Sequence, residues 1–454
     1  MKKLIPQSIR NIYHLFQAIL ANVWFGFPSR KLKVIGVTGT NGKTTTVQMI
    51  AKVLEEEDFK VAVASTINFK LGGKEWVNKS KFTTLSSWAL QKFLRRAVKA
   101  GCEYAVIEVS SHSLDQNRVW GMDFNAAAIT NVTREHLDYH KTMEEYAKTK
   151  SRLFWMVSKN SDSASIVNLN MEFADVFLRY GAKNKFGYFL ESESPNCVLE
   201  AGLKLEIARD IRQSINGSEF LVNGEKFTLN MPGEFNIENA LAAVCVGLSE
   251  NIPLENISAA LRKIKGVPGR MEKIENKRGL GIIVDYAVTP DSLEKLYDYL
   301  DGIKKEGSKI IAVFGSCGER DRGKRPIMGE IVAKKADFVI VTNEDPYHED
   351  PMQIINEVFE GVVGNNFPKA RLFPSSSEAL RIPQSQALEN NKTEGVDAFR
   401  ILDRREAIKK ALQIAELGDI VVVTGMGAQE TMAVGDDMIP WNDPKVIREV
   451  LEEL

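Results

Sequence analysis

The sequence predicts an α/β architecture in which helices cover mostly parallel sheets, arranged as two successive α/β units. Three observations carry this. An apolar, β-branched run from Lys33 leads into the turn Gly39-Thr40-Asn41-Gly42 and then into a helical pattern. After it, short apolar runs alternate with helical segments, which is the signature of parallel strands joined by crossover helices. A second alternating series begins after Gly266-Val267-Pro268-Gly269, a short stretch rich in turn residues.

In chain order, residues 1–31 are too few for a domain and read as a helical segment. Ile12, Leu15, Phe16, Ile19, Leu20 and Val23 fall near helical spacing, so an amphipathic helix is expected. His14, Gln17 and Asn22 interrupt it, so it is not a membrane span, and it lacks a signal-peptide cleavage pattern. Two readings stay open: packing on the first domain, or contact with a membrane surface or a partner. The first domain is expected over residues 32–267. Its strands are predicted at 61–64, 104–109, 126–130 and 165–168, with helices at 86–99 and 143–157. Residues 220–227 read as a hairpin turning on Asn223-Gly224. Helices follow at 237–250 and 254–264. The second domain, residues 268–454, is expected to place strands at 281–284, 309–314, 338–341 and 420–424. The polar segment 382–395 reads as a surface loop, and no internal repeat or low-complexity tract is present.

Composition narrows the function. A chain of 454 residues with 44% apolar and 26% charged residues is an ordinary globular protein long enough for more than one domain. Its formal charge of −1 gives no electrostatic case for a nucleic-acid or anionic-membrane partner. Cys102, Cys197, Cys245 and Cys317 are scattered, with no C-x-x-C, which fits a reducing cytoplasm better than a disulfide scaffold.

The loop after the first strand carries the first chemistry. Glycines let backbone N–H groups approach phosphate oxygens, and the following helix N-terminus adds positive potential. Gly39, Thr40, Asn41, Gly42, Lys43, Thr44 and Thr45 therefore form a phosphate cradle, with Lys43 reaching terminal phosphates and Thr44 suited to Mg²⁺. The spacing departs from G-x-x-x-x-G-K-[ST], because Val37 stands where the first glycine belongs. Glu108 and His136 follow two further predicted strand ends. Ligands of open α/β sheets sit outside the carboxyl ends of strands, so both can converge with Thr44 on a divalent cation.

These motifs resemble the Mur ligases, most closely the MurE branch. The resemblance runs from about Ala18 to the C-terminus. It rests on T-G-T-N-G-K-T-T, E-V-S-S-H-S-L and T-N-V-T-R-E-H-L-D-Y-H-K-T-M-E-E-Y-A-K-T-K. Further on it includes P-G-E-F-N-I-E-N-A-L-A-A, G-V-P-G-R-M-E, V-D-Y-A-V-T-P-D and F-G-S-C-G-E-R-D-R-G-K-R-P-I-M-G. It implies a central parallel-sheet P-loop ATPase domain and a C-terminal Rossmann-like domain. The implied reaction is ATP-dependent amide ligation through an acyl phosphate, adding an amino acid to the carboxylate of a muramoyl-peptide-type cell-wall precursor in the cytoplasm.

By position, the resemblance assigns one Mg²⁺ to Thr44 and Glu108 and a second to His136. Lys150 stands where the family carries a lysine converted by CO₂ to a carbamate, with Lys148 as the competing match. Asn236 and Asn239 match adenine-side positions, and Arg270 and Asp285 match residues near ribose and phosphates. Thr83, Thr84, Ser110, Gln116 and Arg118 match positions facing the acceptor peptide. Arg320, Glu344, Asp345, Tyr347, Gly425 and Gln429 fall on the amino-acid side.

The sequence also departs from the pattern. Only about thirty residues precede the ATP loop, so the family's N-terminal UDP-binding domain is expected to be missing. The D-N-P-R signature, whose arginine meets the distal carboxylate of meso-diaminopimelate, reads Glu344-Asp345-Pro346-Tyr347. Tyrosine cannot pair with a carboxylate as arginine does, so meso-diaminopimelate is not expected to be the preferred substrate, and the two acids Glu344 and Asp345 favour a basic side chain such as that of lysine or ornithine. G-K-G-H-E becomes Gly425-Met426-Gly427-Ala428-Gln429-Glu430, and the histidine of Y-A-H-T-P is Val288. Two alternatives stand beside the main reading. One is a related ligase acting on a pseudomurein peptide, a polyglutamate tail or a cyanophycin-type polymer; the other is a nucleotide-binding partner subunit without ligation.

Overall fold

The computed structural model describes residues 7–214, 216–364 and 392–454. Residues 382–391 of the expected polar loop lie outside them. The chain divides into two compact units, Met1–Val267 and Pro268–Leu454.

The first unit opens with helix α1 (Gln7–Phe25) and a 3₁₀ turn at Pro28–Lys31. Then come β1 (Lys33–Thr38), α2 (Lys43–Glu56), β2 (Val61–Ala64), β3 (Asn68–Leu71), β4 (Lys74–Val77), α3 (Ser87–Lys99) and β5 (Tyr104–Glu108). They are followed by α4 (Ser111–Asp115), β6 (Ala126–Ile129), α5 (Leu137–His140), α6 (Met143–Val157), β7 (Ala164–Asn168), α7 (Ala174–Leu178) and β8 (Asn184–Leu190). The unit closes with β9 (Lys204–Ser214), β10 (Gly217–Val222), β11 (Glu225–Leu229), α8 (Glu234–Ser249) and α9 (Leu254–Arg262). Among the described residues the strands form one sheet in the order β11-β10-β9-β8-β7-β6-β1-β5-β2-β3-β4. Pairing is parallel from β9 to β2 and antiparallel at both ends.

The central strands are covered on both faces, so nearly every residue in them is apolar and buried. Ile35, Val37, Val106 and Ala128 meet Val47, Ile50 and Leu54 of α2 and Leu241 and Val244 of α8 on one face. Val34, Ala105, Ile107 and Ile129 meet Leu90 and Leu94 of α3 and Leu153 and Phe154 of α6 on the other. Since β1, β5, β6 and β7 run parallel, Gly39, Glu108, Thr130 and Asn168 all emerge at one sheet edge.

Helix α1 does not bury the apolar stripe that its periodicity marks. It is seated through Ala18, Ala21 and Asn22, and Asn22 Nδ2 donates to Trp120 O at 2.7 Å. Ile12, Phe16, Leu20 and Val23 face outward. Periodicity defines such a stripe without defining what it faces.

The second unit contains β12 (Glu272–Lys273), β13 (Gly281–Asp285), α10 (Pro290–Ile303), β14 (Ile310–Phe314), α11 (Lys324–Lys335), β15 (Phe338–Val341) and α12 (Pro351–Val363). Beyond them lie β16 (Ala398–Arg400), α13 (Arg404–Ile414), β17 (Ile420–Thr424), the hairpin β18 (Thr431–Val434) and β19 (Asp437–Pro440), and α14 (Asp443–Glu453). Its main sheet has the order β12-β13-β17-β14-β15-β16, parallel except at β12. A fully buried pair, Arg404 with Asp443, ties α13 to α14 through two hydrogen bonds of 2.8 and 2.7 Å.

Candidate functional site

The loop between β1 and α2 is shaped by two close approaches. At Gly39, with φ +146°, a Cβ would lie 1.9 Å from Thr130 Oγ1; at Gly42, with φ +81°, one would lie 2.2 Å from Asn239 Oδ1. Only glycine fits at either position. The end of β6 grips the loop from the side. Asn41 N donates to Asn131 Oδ1 at 2.9 Å, Thr130 Oγ1 donates to Asn41 O at 2.6 Å, and Thr40 N donates to Asn131 O at 2.9 Å. Lys43 Nζ folds back onto the carbonyls of Gly39 and Thr40 at 3.1 and 2.8 Å. Thr44 and Thr45 are buried in the first turn of α2.

Glu108, 2% exposed at the end of β5, is the polar hub of this edge. Its Oε2 accepts from Thr44 Oγ1 at 3.0 Å and from Thr66 N at 2.8 Å, and its Oε1 accepts from Thr66 Oγ1 at 2.9 Å. A hydroxyl and a carboxylate side by side at a phosphate-type loop form an oxygen donor set that suits Mg²⁺. Among the described residues, no three His, Cys, Asp or Glu side chains form a metal-holding group on their own.

Lys150 reaches the same loop from α6. It is buried, and its Nζ donates to Gly39 O at 2.7 Å and stands 4.3 Å over the Tyr146 ring. Burial, then the neighbouring Lys43 charge, pushes its amine well below the ordinary lysine range. Lys148, the competing match, is exposed beside Glu145. His136 has φ +57°, with Nδ1 3.9 Å from Glu135 Oε1 and its ring edge-on to His112 and Tyr146. Buried His140 bonds Ser111 Oγ at 3.0 Å through Nε2, and burial, then Lys150, lowers it to about 4.

The candidate acceptor residues cluster after β5. Thr84 Oγ1 donates to Glu108 O and accepts from Ser110 N, both at 2.9 Å, while half-buried Thr83 precedes it. Ser110 caps α4, and Arg118 donates to Gln116 Oε1 and Thr84 O. Asn236 and Asn239 are buried on α8; Asn236 donates to Pro232 O, and Asn239 accepts from Thr46 Oγ1 while lying against Gly42. Sequence reasoning missed Thr66 and Tyr146. Tyr146 had a local signal, since it lies one helical turn before Lys150; its hydroxyl is 3.3 Å from Thr40 Oγ1.

In the second unit, Tyr286 is the missed organiser. Arg270 stacks over its ring at 4.5 Å, and Gln429 Nε2 donates to its hydroxyl at 3.1 Å. Asp285 accepts from Met271 N at 2.8 Å; burial raises its carboxyl, opposed by Arg270. Glu344 is buried beside Gly425, and its Oε2 has no hydrogen-bond partner among the described residues. Burial moves its carboxyl up to about 7. Asp345 Oδ1 accepts from Ala433 N at 2.7 Å, and exposed Arg320 lies close to Tyr347.

Comparison with known proteins matches this chain to two family models. Residues 37–247 match the Mur ligase middle domain, and residues 269–427 match the Mur ligase glutamate ligase domain. The chain belongs to the Mur ligase family. This Mur ligase is 37% identical over 443 residues to a UDP-N-acetylmuramoyl-L-alanyl-D-glutamate--2,6-diaminopimelate ligase of Clostridium tetani, covering 96% of the chain and 81% of the relative. It is 37% identical over 451 residues to a UDP-N-acetylmuramyl-tripeptide synthetase of Roseiflexus, covering 96% and 82%. Among solved structures, a diaminopimelate-adding ligase of the same description superposes with a TM-score of 0.58 at 29% identity, covering 99% of this chain and 83% of that one. A folylpolyglutamate synthase of Mycobacterium tuberculosis, 14% identical, shares the fold with a TM-score of 0.66 over 91% of this chain and 96% of its own. The α/β fold class and the ligase assignment therefore stand: the protein is an ATP-dependent amide-forming enzyme of this family.

Proposed function

We propose that this Mur ligase adds an amino acid to the carboxylate of a UDP-N-acetylmuramoyl-peptide-type precursor for peptidoglycan, in the cytoplasm. The observation that carries the reading is the convergence of Lys43, the Thr44–Glu108 pair and buried Lys150 on one glycine loop. The acceptor carboxylate attacks the γ-phosphorus of ATP, the bond to ADP breaks, and an acyl phosphate forms. The amino acid's amine then attacks the acyl carbon, and the tetrahedral intermediate expels phosphate. In-line phosphoryl transfer needs positioning and charge compensation more than covalent help from the protein. Lys43 supplies positive charge there, and Arg118 holds the acceptor peptide's carboxylate.

Thr44 and Glu108 would hold one Mg²⁺, and His136 with carbamylated Lys150 a second. Bound magnesium supplies charge neutralisation at the phosphates. Carbamylation is supported by the Lys150 environment. Its neutral amine attacks CO₂, an N–C bond forms, and a proton leaves nitrogen for water. The cation becomes an anion beside the loop. The nucleotide's base and ribose side falls to Asn236, Asn239, Arg270 and Asp285.

For the incoming amino acid we favour lysine or ornithine over meso-diaminopimelate. Tyr347 replaces the expected arginine, and Arg320, which the family uses for the amino acid's carboxylate, lies close to it. The test is mass spectrometry of products, with phosphate release, across a panel of amino acids and precursors with and without the UDP group. The expected product is a lysine or ornithine adduct of a muramoyl dipeptide. Tight ATP binding with no phosphate released for any acceptor would overturn the ligase reading for this chain. A strong preference for diaminopimelate would overturn the choice of amino acid alone.

A further inference from the structure

Helix α1 is amphipathic in the wrong sense for a helix that belongs to a soluble core. Its polar and small residues face the protein. Ala18, Ala21 and Asn22 are buried, Gln7 Nε2 donates to Tyr139 Oη at 2.7 Å, and Asn11 Nδ2 donates to Asp115 Oδ2 at 2.9 Å. These bonds, with Asn22 on Trp120 O, pin the helix along its length and set its rotation. Its apolar residues therefore face solvent. Ile9, Ile12, Tyr13, Phe16, Leu20, Val23 and Trp24 form one stripe, with Ile12 68%, Val23 62% and Trp24 77% exposed. At about 1.5 Å per residue the helix is roughly 28 Å long, and a contiguous apolar strip of that length marks a binding surface.

The charge around the stripe selects its occupant. Trp24 and Phe25 pack against Trp88, the second residue of α3, at 6.4 and 5.8 Å between ring centres. From exposed Trp88 the outer face of α3 continues through Lys92, Arg96 and Lys99, spaced on one side of the helix and all exposed. Arg30 and Lys31, just after α1, are exposed as well. Neither α1 nor α3 contains an Asp or Glu, and the first acidic residue of the whole sequence is Glu55. A protein of net charge −1 thus sets a row of exposed cations beside its exposed apolar helix, while the acids next to α1 are Asp115, which accepts from Asn11, and Asp123, whose N–H donates to Ser29 Oγ.

We propose that α1 and the outer face of α3 seat this protein on an anionic lipid bilayer, α1 lying in the interface and the α3 cations meeting headgroups. An apolar stripe with tryptophan at its edge and a Lys/Arg flank is the composition of an interfacial helix. A second copy of the chain fits less well, since a two-fold pairing of α1 and α3 brings their cations together and neither helix carries an acid to meet them. Among the described residues no helix is long and apolar enough to cross a membrane, so the contact lies on the bilayer.

The test is co-sedimentation of the full chain with vesicles of 30% phosphatidylglycerol in phosphatidylcholine and with vesicles of phosphatidylcholine alone. The expected result is binding to the anionic vesicles, at least tenfold weaker on the neutral ones and at least tenfold weaker when salt is raised to 0.5 M. The triple variants I12S/F16S/W24S and K92E/R96E/K99E should each lose tenfold or more. Both should keep wild-type circular dichroism and, without vesicles, wild-type phosphate release within twofold. Equal binding to both vesicle types, no binding to either, or self-association through this face without vesicle binding would overturn the proposal. The wild-type comparison of lipids needs no variant to fold. Vesicle binding without ligation of any soluble precursor would leave this inference standing and remove the proposed function instead.

Discussion

The hydroxyl of Thr44 lies 3.0 Å from Glu108 Oε2, joining the first turn of α2 to the end of β5, the strand paired with β1. The pair is the oxygen donor set on which the proposed magnesium site depends. Glu108→Gln keeps the size of the side chain and removes its charge. It should lower kcat by about 100-fold or more, the scale of losing one charge-stabilising group in a transition state, and raise the magnesium concentration for half-maximal rate. Steady-state phosphate release against magnesium checks this; an unchanged magnesium dependence would remove Glu108 from the site.

Lys150 should carry a carbamate. Burial, then the Lys43 charge, shifts its amine toward the neutral form, the form that reacts with CO₂. A carbonyl resonance should appear by ¹³C NMR when labelled bicarbonate is added, and be absent in Lys150→Ala. That variant should lose activity by about 100-fold or more, with partial recovery in acetate, whose carboxylate can stand in for the missing anion. Full activity of Lys150→Ala in CO₂-free buffer would refute the assignment.

Tyr347→Arg should move substrate preference toward meso-diaminopimelate, because a guanidinium offers a bidentate partner to the distal carboxylate. The expected change in the ratio of kcat/KM values for diaminopimelate and lysine is at least tenfold, read from competition assays. No movement in that ratio would show that position 347 does not select.

Glu344 should make stability fall as pH rises. Its native carboxyl titrates at about 7 against an ordinary value of 4.5, so its contribution is complete below 4.5 and lost as pH rises through 7. Glu344→Gln removes that loss. Its advantage over the wild type should grow between pH 4.5 and 7 to on the order of 3 kcal/mol and then level off. Urea denaturation at pH 5 and pH 8.5 measures it, and parallel shifts at the two pH values would contradict it.

Removing one side of the Arg404–Asp443 pair should be costly, since the survivor is a buried, unpaired charge. Arg404→Ala should destabilise the second unit by about 3–5 kcal/mol. Chemical denaturation checks this; a loss under about 1 kcal/mol would mean that the pair behaves as though solvent-exposed.

The elements most legible in the sequence were those with one physical demand on them. Strands β1, β5, β6 and β7 are covered on both faces, so they had to be short apolar runs, and the Asn223-Gly224 turn could only close a hairpin. The β3–β4 hairpin escaped because β4 is an exposed edge strand, Lys74-Glu75-Trp76-Val77, with no buried face to enforce alternation. Around the candidate site, the loop and Glu108 were visible as motifs. Thr66 was not, because a threonine in a turn has no spacing that distinguishes it, and Tyr286 stood within V-D-Y-A-V-T-P-D with nothing in the sequence to pair it with Arg270 or Gln429. The contact of Lys150 with Gly39 joins residues 111 apart in the chain. Only tertiary structure brings such partners together.

The hydrogen bond from Gln7 to Tyr139 has a consequence at a distance. Tyr139 sits three residues after His136 and also holds Asp115 at 2.7 Å, which in turn accepts from Asn11. The first helix is thereby clamped to the segment that presents the histidine. By thermodynamic reciprocity, any effect of nucleotide on the His136 segment that reaches this clamp is returned by the helix with the same free energy. The proposed metal-holding histidine and the first helix thus share one hydrogen-bonded clamp.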